Sequence, residues 1–240
     1  MELLAEGARS LGLALSPAQL EQFEAYYRAL AVAKVDLTAV TDYQGVQRRY
    51  FLESLALLTA LYDAGALGKG RGQRLMDLGA GAGLPGLPVK IADPSLRLVL
   101  LEATGKKAEF LRQVVEELGL MDVAVVSARA EVAAHEPDHR QAYDVVAARA
   151  VAGLPVLVEL ALPFLRLGGH LAAPKGSRAS QEVQAAARAL QACGGQVVTV
   201  RRLTVPAAVI PPTLVLVRKV APTPPQYPRR PGIPAKRPLR

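Results

Sequence analysis

The chain has 240 residues, half of them apolar, with a net charge of +8, one cysteine and no tryptophan. That length supports one sizeable core with at most an appendage. Cys193 alone excludes an internal disulfide and a cysteine-rich zinc site, and the shortage of aromatics leaves a nucleic-acid site built on stacked rings poorly supplied.

Residues 1–65 read as helical. Leu20, Phe23, Tyr27 and Leu30 recur at three- and four-residue spacing, and Ser16-Pro17 supplies a cap and a first-turn proline. A second helix is predicted over about Gly45 to Tyr62, with Tyr50, Leu55, Leu58 and Leu61 as its apolar stripe. Gly65–Gly72 reads as the hinge into a regular alternation of strands and helices. Strands are predicted at Arg74–Leu78, Leu96–Glu102, Val123–Ser127, Tyr143–Ala147, His170–Ala173, Val197–Leu203 and Leu214–Val220. Helices fall between them, up to Ala92, over Lys106–Leu118, over Leu154–Leu167 and over Gln181–Cys193. The last two strands are close enough to pair antiparallel. Residues 221–240 hold seven prolines and five cations (Arg229, Arg230, Lys236, Arg237 and Arg240) with no acid. They are expected to be extended or disordered, and an excess of base favours polyphosphate partners. The expected organisation is a helical extension (1–70), an α/β core (71–220) and a basic proline-rich tail (221–240).

The chemistry concentrates after the first strand, at Asp77-Leu-Gly-Ala-Gly-Ala-Gly83. A strand, a turn with Gly79, Gly81 and Gly83, and then a helix bring bare backbone close to a ligand. Gly81 to Gly86 also fits the dinucleotide fingerprint, so a nicotinamide-dependent oxidoreductase is an alternative. Asp77 favours the other cofactor: its carboxylate opposes a pyrophosphate but suits the ammonium and sulfonium of S-adenosylmethionine. Pro85 and Pro88 shorten the next helix. Glu102, at the end of the second strand, is placed to accept bonds from ribose hydroxyls, with Ala103 and Thr104 flanking the adenosine. Ala130-Glu131 follow the third strand, where such folds meet the adenine edge; Glu131 reads equally as a helix-start acid.

Methyl transfer from a sulfonium is an in-line displacement, so the protein contributes positioning and electrostatics. After the fourth strand the chain reads Asp144-Val-Val-Ala-Ala-Arg-Ala150, without the Asp/Asn-Pro-Pro-aromatic signature of exocyclic-amine methylation. Cys193 lies elsewhere, which disfavours carbon-5 pyrimidine chemistry. A ring nitrogen with a free lone pair, such as guanine N7, suits a site without an obvious base. Arg149 is the candidate for holding a phosphate, a guanine edge or the cofactor carboxylate, with Lys175 after the fifth strand as a second cleft cation. The histidines lack metal spacing, and no metal is expected.

The ordered segments Asp36-Leu-Thr-Ala39, Arg49 with Glu53-Ser54, Asp77 through Pro88, Glu102 with Gly105-Lys-Lys107, Phe110-Leu-Arg112, Ala128-Arg-Ala-Glu131, Arg149-Ala150, Lys175-Gly176 and Tyr227-Pro-Arg through Arg237-Pro-Leu239 resemble one family. It is the bacterial small-subunit ribosomal RNA guanine-N7 methyltransferase G family, also known as glucose-inhibited division protein B. The Gly-Leu-Pro-Gly-Leu-Pro extension is much more specific than the bare Gly-x-Gly-x-Gly. The resemblance implies a class I S-adenosylmethionine-dependent methyltransferase: an α/β Rossmann-like fold with a seven-stranded sheet whose last strand is antiparallel. It implies methylation of guanine N7 near the decoding centre of 16S rRNA, with cofactor contacts at Gly79, Leu84, Glu102, Ala103, Thr104, Ala130, Glu131 and Arg149. Asp36, Tyr50 and Glu53 depart from the residues common in the family. Lys106, Lys107, Lys175, Arg229, Arg230, Lys236 and Arg237 are candidates for RNA contact. The expected partner is 16S rRNA or the small-subunit particle. No apolar run reaches about 18 residues and the amino terminus lacks the order of a secretory leader, so the protein is expected to be a cytoplasmic monomer. A non-catalytic RNA-binding protein on the same fold is the remaining alternative.

Overall fold

The computed structural model describes residues 1–33 and 40–239. Helix α1 (Glu2–Ser10) is followed by α2 (Pro17–Val32), whose capping box pairs Ser16 with Gln19. Asp36-Leu-Thr-Ala39 lies outside the described residues. A continuous helical segment follows, but not with uniform pitch: α3 (Tyr43–Val46) runs into a π-helical turn (Gln47–Leu52) and then α4 (Glu53–Asp63). Strand β1 (Arg74–Leu78), α5 (Gly86–Ala92), β2 (Arg97–Glu102), α6 (Gly105–Glu117), β3 (Val123–Ser127), α7 (Ala130–Ala133) and β4 (Tyr143–Ala147) follow close to the expected bounds. Next come α8 (Leu154–Ala161), β5 (Leu165–Lys175), α9 (Ala179–Ala185), α10 (Ala187–Cys193), β6 (Gly195–Arg202), β7 (Thr213–Lys219) and α11 (Ile233–Lys236).

Three expectations are corrected here. The helix expected to reach Leu167 ends at Ala161; a single 3-10 turn around Pro163 converts the chain into β5, which is longer than expected because Leu165 already pairs with Tyr143. The helix expected over Gln181–Cys193 is two helices meeting at Ala186. The tail is neither simply extended nor disordered. Pro234 sits in the first turn of α11, where its missing N–H costs nothing, and Gly232 starts that turn at φ +81°. Arg140 holds the rest of the tail by donating to the carbonyls of Thr223, Pro224 and Tyr227 at 3.0–3.2 Å.

The seven strands form one sheet in the order β3-β2-β1-β4-β5-β7-β6. The first five run parallel, and β7 is antiparallel to both neighbours. Helices α1–α6 cover one face: Phe23, Phe51 and Leu55 share a continuous core with Leu98 and Leu100. Helices α7–α10 cover the other face with a second core that includes Leu157, Phe164 and Cys193. Chain order reverses between β1 and β4, and the crevice outside their C-terminal ends is where a ligand is accommodated in such sheets. Among the described residues no helix is long and apolar enough to cross a membrane.

Candidate cofactor cleft

The turn after β1 is built of left-handed backbone, with φ of +71° at Gly79, +57° at Gly81 and +94° at Gly83. The three glycines serve different ends. Gly79 is exposed on the cleft, and a Cβ there would come within 2.8 Å of Val151 in the loop after β4. A Cβ on Gly81 would meet nothing closer than 3.8 Å, so its backbone angle alone favours glycine. Gly83 and Leu84 are buried, and a Cβ on Gly83 would strike Leu87 at 2.4–2.8 Å. Gly83 therefore serves packing of α5, not the close ligand approach expected from the sequence.

Glu102 ties two loops together. Its Oε2 accepts from Gly81 N at 2.9 Å and its Oε1 from Thr104 N at 2.7 Å. Each carboxylate oxygen keeps a lone pair for a hydroxyl donor, as the sequence reading of a ribose partner requires. Ala103, Thr104 and Lys106 are exposed beside it, and Lys107 is half-buried.

Asp77 lies beneath the cleft, not on its surface: it is fully buried. Oδ2 accepts from Gly86 N, the first amide of α5, at 2.8 Å, and Oδ1 has no hydrogen-bond partner. Burial pushes its carboxyl up to about 7, against the lowering effects of the Gly86 amide and Arg149. Gly86 is required for that contact, since a Cβ would sit 2.8 Å from Oδ2. The carboxylate thus occupies the anion position at the α5 N-terminus. Gly79 and Ala80 amides donate to Leu101 O, and Gly81 N to Glu102. A pyrophosphate finds no free amide at those positions and a carboxylate already in place, which argues against the dinucleotide alternative.

Arg149, just past β4, is held from the N-terminal helices. Nη2 stands 3.1 Å from Glu53 Oε2, and the guanidinium lies over the Tyr50 ring at 4.9 Å from its centroid. Nη1 is buried without a partner. Burial lowers the guanidinium's affinity for its proton and raises that of Glu53, so each needs the other. Ala150, at φ +56°, turns the chain away directly after it. Two opposite, unsatisfied atoms, Asp77 Oδ1 and Arg149 Nη1, thus lie at the ends of adjacent strands where chain order reverses. Together with the bare Gly79 backbone and the Glu102 carboxylate, they suit a zwitterionic amino-acid group joined to a nucleoside.

Several cations are already committed. Lys175 Nζ donates to Ala152 O at 2.5 Å and pairs with Glu182 at 3.0 Å, while Glu182 also accepts from Leu154 N. It fixes the loop after Arg149, in place of the cleft-facing role expected. Arg229 is bound to Glu159, a carboxylate without exposed surface, so it is not a free phosphate contact. Arg230, Lys236 and Arg237 are exposed. Glu131 Oε1 accepts from Gly232 N of the tail at 2.9 Å, and Ala130 beside it is half-buried.

Tyr26 was missed by sequence reasoning. It is fully buried and its hydroxyl donates to Ala82 O at 2.6 Å, bracing the glycine turn from α2. No local signal separates it from Tyr27, since either fits a helical stripe. The π-helical turn was also illegible, yet it sets Tyr50 and Glu53 against Arg149.

The sequence profile for rRNA small subunit methyltransferase G matches residues 19–209. The chain is 46% identical over 241 residues to the ribosomal RNA small subunit methyltransferase G of Roseiflexus sp., with 100% of both chains covered. It is 44% identical to that of Dehalococcoides mccartyi, again with 100% of both chains covered. Among solved structures, the branched-chain polyamine synthase of Thermus thermophilus, in complex with N4-aminopropylspermidine and 5′-methylthioadenosine, superposes with a TM-score of 0.59 at 17% identity, covering 86% of this chain and 64% of that one. MtNAS in complex with MTA and tNA gives 0.54 at 18% identity, covering 85% and 70%. At these identities the structural likeness speaks for the fold alone.

Proposed function

The chain belongs to the rRNA small subunit methyltransferase G family, and from that premise we propose that it methylates N7 of a guanine in 16S rRNA with S-adenosylmethionine as donor. One observation carries the reading: an end-to-end family match whose cleft gathers Gly79, Glu102 and Arg149 at the reversal of strand order. When bound, the cofactor supplies an electrophilic methyl group on a sulfonium. Gly79 and Gly81 leave room for it, Glu102 takes the ribose hydroxyls, Arg149 meets the carboxylate of its amino-acid end, and Asp77, buried beneath the turn, favours its cationic groups through the field of its charge. Ala103, Thr104, Ala130 and Glu131 border the adenine.

Guanine N7 carries a free lone pair, so no proton has to leave before attack and no general base is required. The protein's work is alignment and exclusion of water. Arg149, fixed by Glu53 and Tyr50, positions the reacting partners. All these groups come from one chain, in keeping with a monomer acting in the cytoplasm on rRNA or on the small-subunit particle. Exposed Lys106, Arg230, Lys236 and Arg237 supply phosphate contacts.

The test is transfer of labelled methyl from S-adenosylmethionine to free 16S rRNA and to assembled small subunits, with the modified nucleotide mapped by mass spectrometry. A 7-methylguanine in the rRNA is the expected product. Label recovered only in protein or small molecules, or at another guanine atom, overturns the assignment.

A further inference from the structure

The ten residues between β6 and β7, at positions 203–212, read Leu-Thr-Val-Pro-Ala-Ala-Val-Ile-Pro-Pro. The root of this loop is packed: Leu203 and Val205 are buried in the core shared with the N-terminal helices, and Leu203 N donates to Pro212 O at 2.9 Å. The tip is not. Val209 is 96% exposed and Ile210 83%, the two highest values among the large apolar side chains of the described residues. Three prolines restrict the backbone around them.

Sheet register fixes where this tip emerges. Asp77 pairs with Ala147, Ala147 with Ala172, Ala172 with Leu216, and Leu216 with Thr199. The loop therefore leaves the sheet beyond the same edge as Gly79 and Arg149. Strand spacing of about 4.8 Å puts the root of the loop roughly 14 Å along that edge from the β1/β4 crevice. Arg201 and Arg202, both exposed, stand where β6 enters the loop.

Resting on the rRNA methyltransferase reading, we propose that Val209 and Ile210 are an apolar wedge that enters the RNA stack next to the target guanine. N7 lies on the major-groove edge of the base, and in A-form RNA that groove is too deep and narrow for side chains to read. A guanine delivered to a cleft must leave its stack, at a cost of a few kcal/mol. Aliphatic side chains inserted between bases replace the lost contact. This chain has no tryptophan, Phe23, Tyr26, Tyr50 and Phe51 are buried, and the tip of this loop carries no aromatic, so Val209 and Ile210 are the apolar side chains that it presents. Exposed Arg202 and the net charge of +8 favour a polyanion over an apolar protein partner, Arg201 being paired with Asp63 at 3.6 Å.

The experiment compares the wild type with Val209→Ser/Ile210→Ser on 16S rRNA ligated to carry 2-aminopurine beside the target guanine. The wild type raises 2-aminopurine fluorescence on mixing, because the neighbouring stack is lost. The double variant loses that rise and transfers methyl about ten-fold or more slowly at saturating RNA, while its melting temperature and its affinity for S-adenosylhomocysteine stay unchanged. Ile210→Leu keeps both signals. A double variant with the wild-type fluorescence rise and rate overturns the wedge. So does a loss of rate that accompanies a change in oligomeric state by sedimentation, which would assign the tip to self-association. Should the wild type methylate no 16S rRNA, the functional reading is what has failed; the fluorescence rise needs no methyl transfer and still decides the wedge.

Discussion

Glu53, in the first turn of α4, stands 3.1 Å from Arg149 in the loop after β4, and so joins the N-terminal helices to the candidate cofactor cleft. Both side chains are only 18% exposed, which keeps water from replacing either partner fully. Glu53→Ala leaves the guanidinium with the Tyr50 ring alone. The expected result is a loss of about 1–3 kcal/mol in urea unfolding, with a larger fall in methyl-transfer rate than in RNA affinity. A variant with wild-type stability and rate would show that the pair is incidental.

Arg229 and Glu159 form the counterpart on the opposite face. Nε and Nη2 stand 2.8 and 2.6 Å from the two oxygens of a carboxylate that has no exposed surface, and Arg229 N donates to it as well. Arg229→Ala strands that carboxylate and is expected to cost about 3–5 kcal/mol. Adding Glu159→Gln should restore part of it in a double-mutant cycle. Proteolysis should then cut 221–240 in Arg229→Ala but not in the wild type; equal resistance would mean that the tail is held by other contacts.

Gly79 offers the most direct probe of the turn. Ala at this position must adopt φ +71° with its Cβ 2.8 Å from Val151. Gly79→Ala is expected to lose roughly 1 kcal/mol of stability and about ten-fold or more in affinity for S-adenosylhomocysteine by calorimetry. Undiminished affinity would remove the turn from the cofactor site.

The buried Asp77 predicts a pH dependence. Its carboxyl titrates near 7 in the folded chain, against an ordinary value of 3.8 for a solvated aspartate, so between those values the folded state binds the extra proton. Stability from this group is complete below about pH 4 and falls as the pH rises through 7. The melting temperature of the cofactor-free protein should therefore decline between about pH 4 and 7 and level off above that, and Asp77→Asn should flatten the decline. A cationic cofactor favours the ionised carboxylate, so S-adenosylmethionine binding should release protons near about pH 6.5, measurable as a buffer-dependent heat; a buffer-independent heat counts against electrostatic coupling to Asp77.

The strand positions and the glycine turn were legible because both rest on local rules. Alternation and apolar runs fix where Arg74–Leu78 and Tyr143–Ala147 pair, and no other residue type suits the turn's left-handed backbone so well. Glu102 was legible for a similar reason: one helix and one strand, 21 positions in all, separate it from Gly81 in the turn that it contacts. Residues brought together by packing left no such trace. Tyr26 and Ala82 are 56 positions apart, and Gly232 and Glu131 are 101 apart.

The amino-acid sequence by itself determined the strand order along the chain, the glycine turn and the family, since backbone geometry and hydrophobic periodicity are short-range properties written residue by residue. Only the tertiary structure decided that Asp77 lies under the cleft, that Arg149 is clamped by Glu53 and Tyr50, and that Lys175 and Arg229 serve the fold. Burial and charge pairing depend on which surfaces meet, and a charged side chain reads the same in the sequence whether it ends in solvent or against a buried carboxylate.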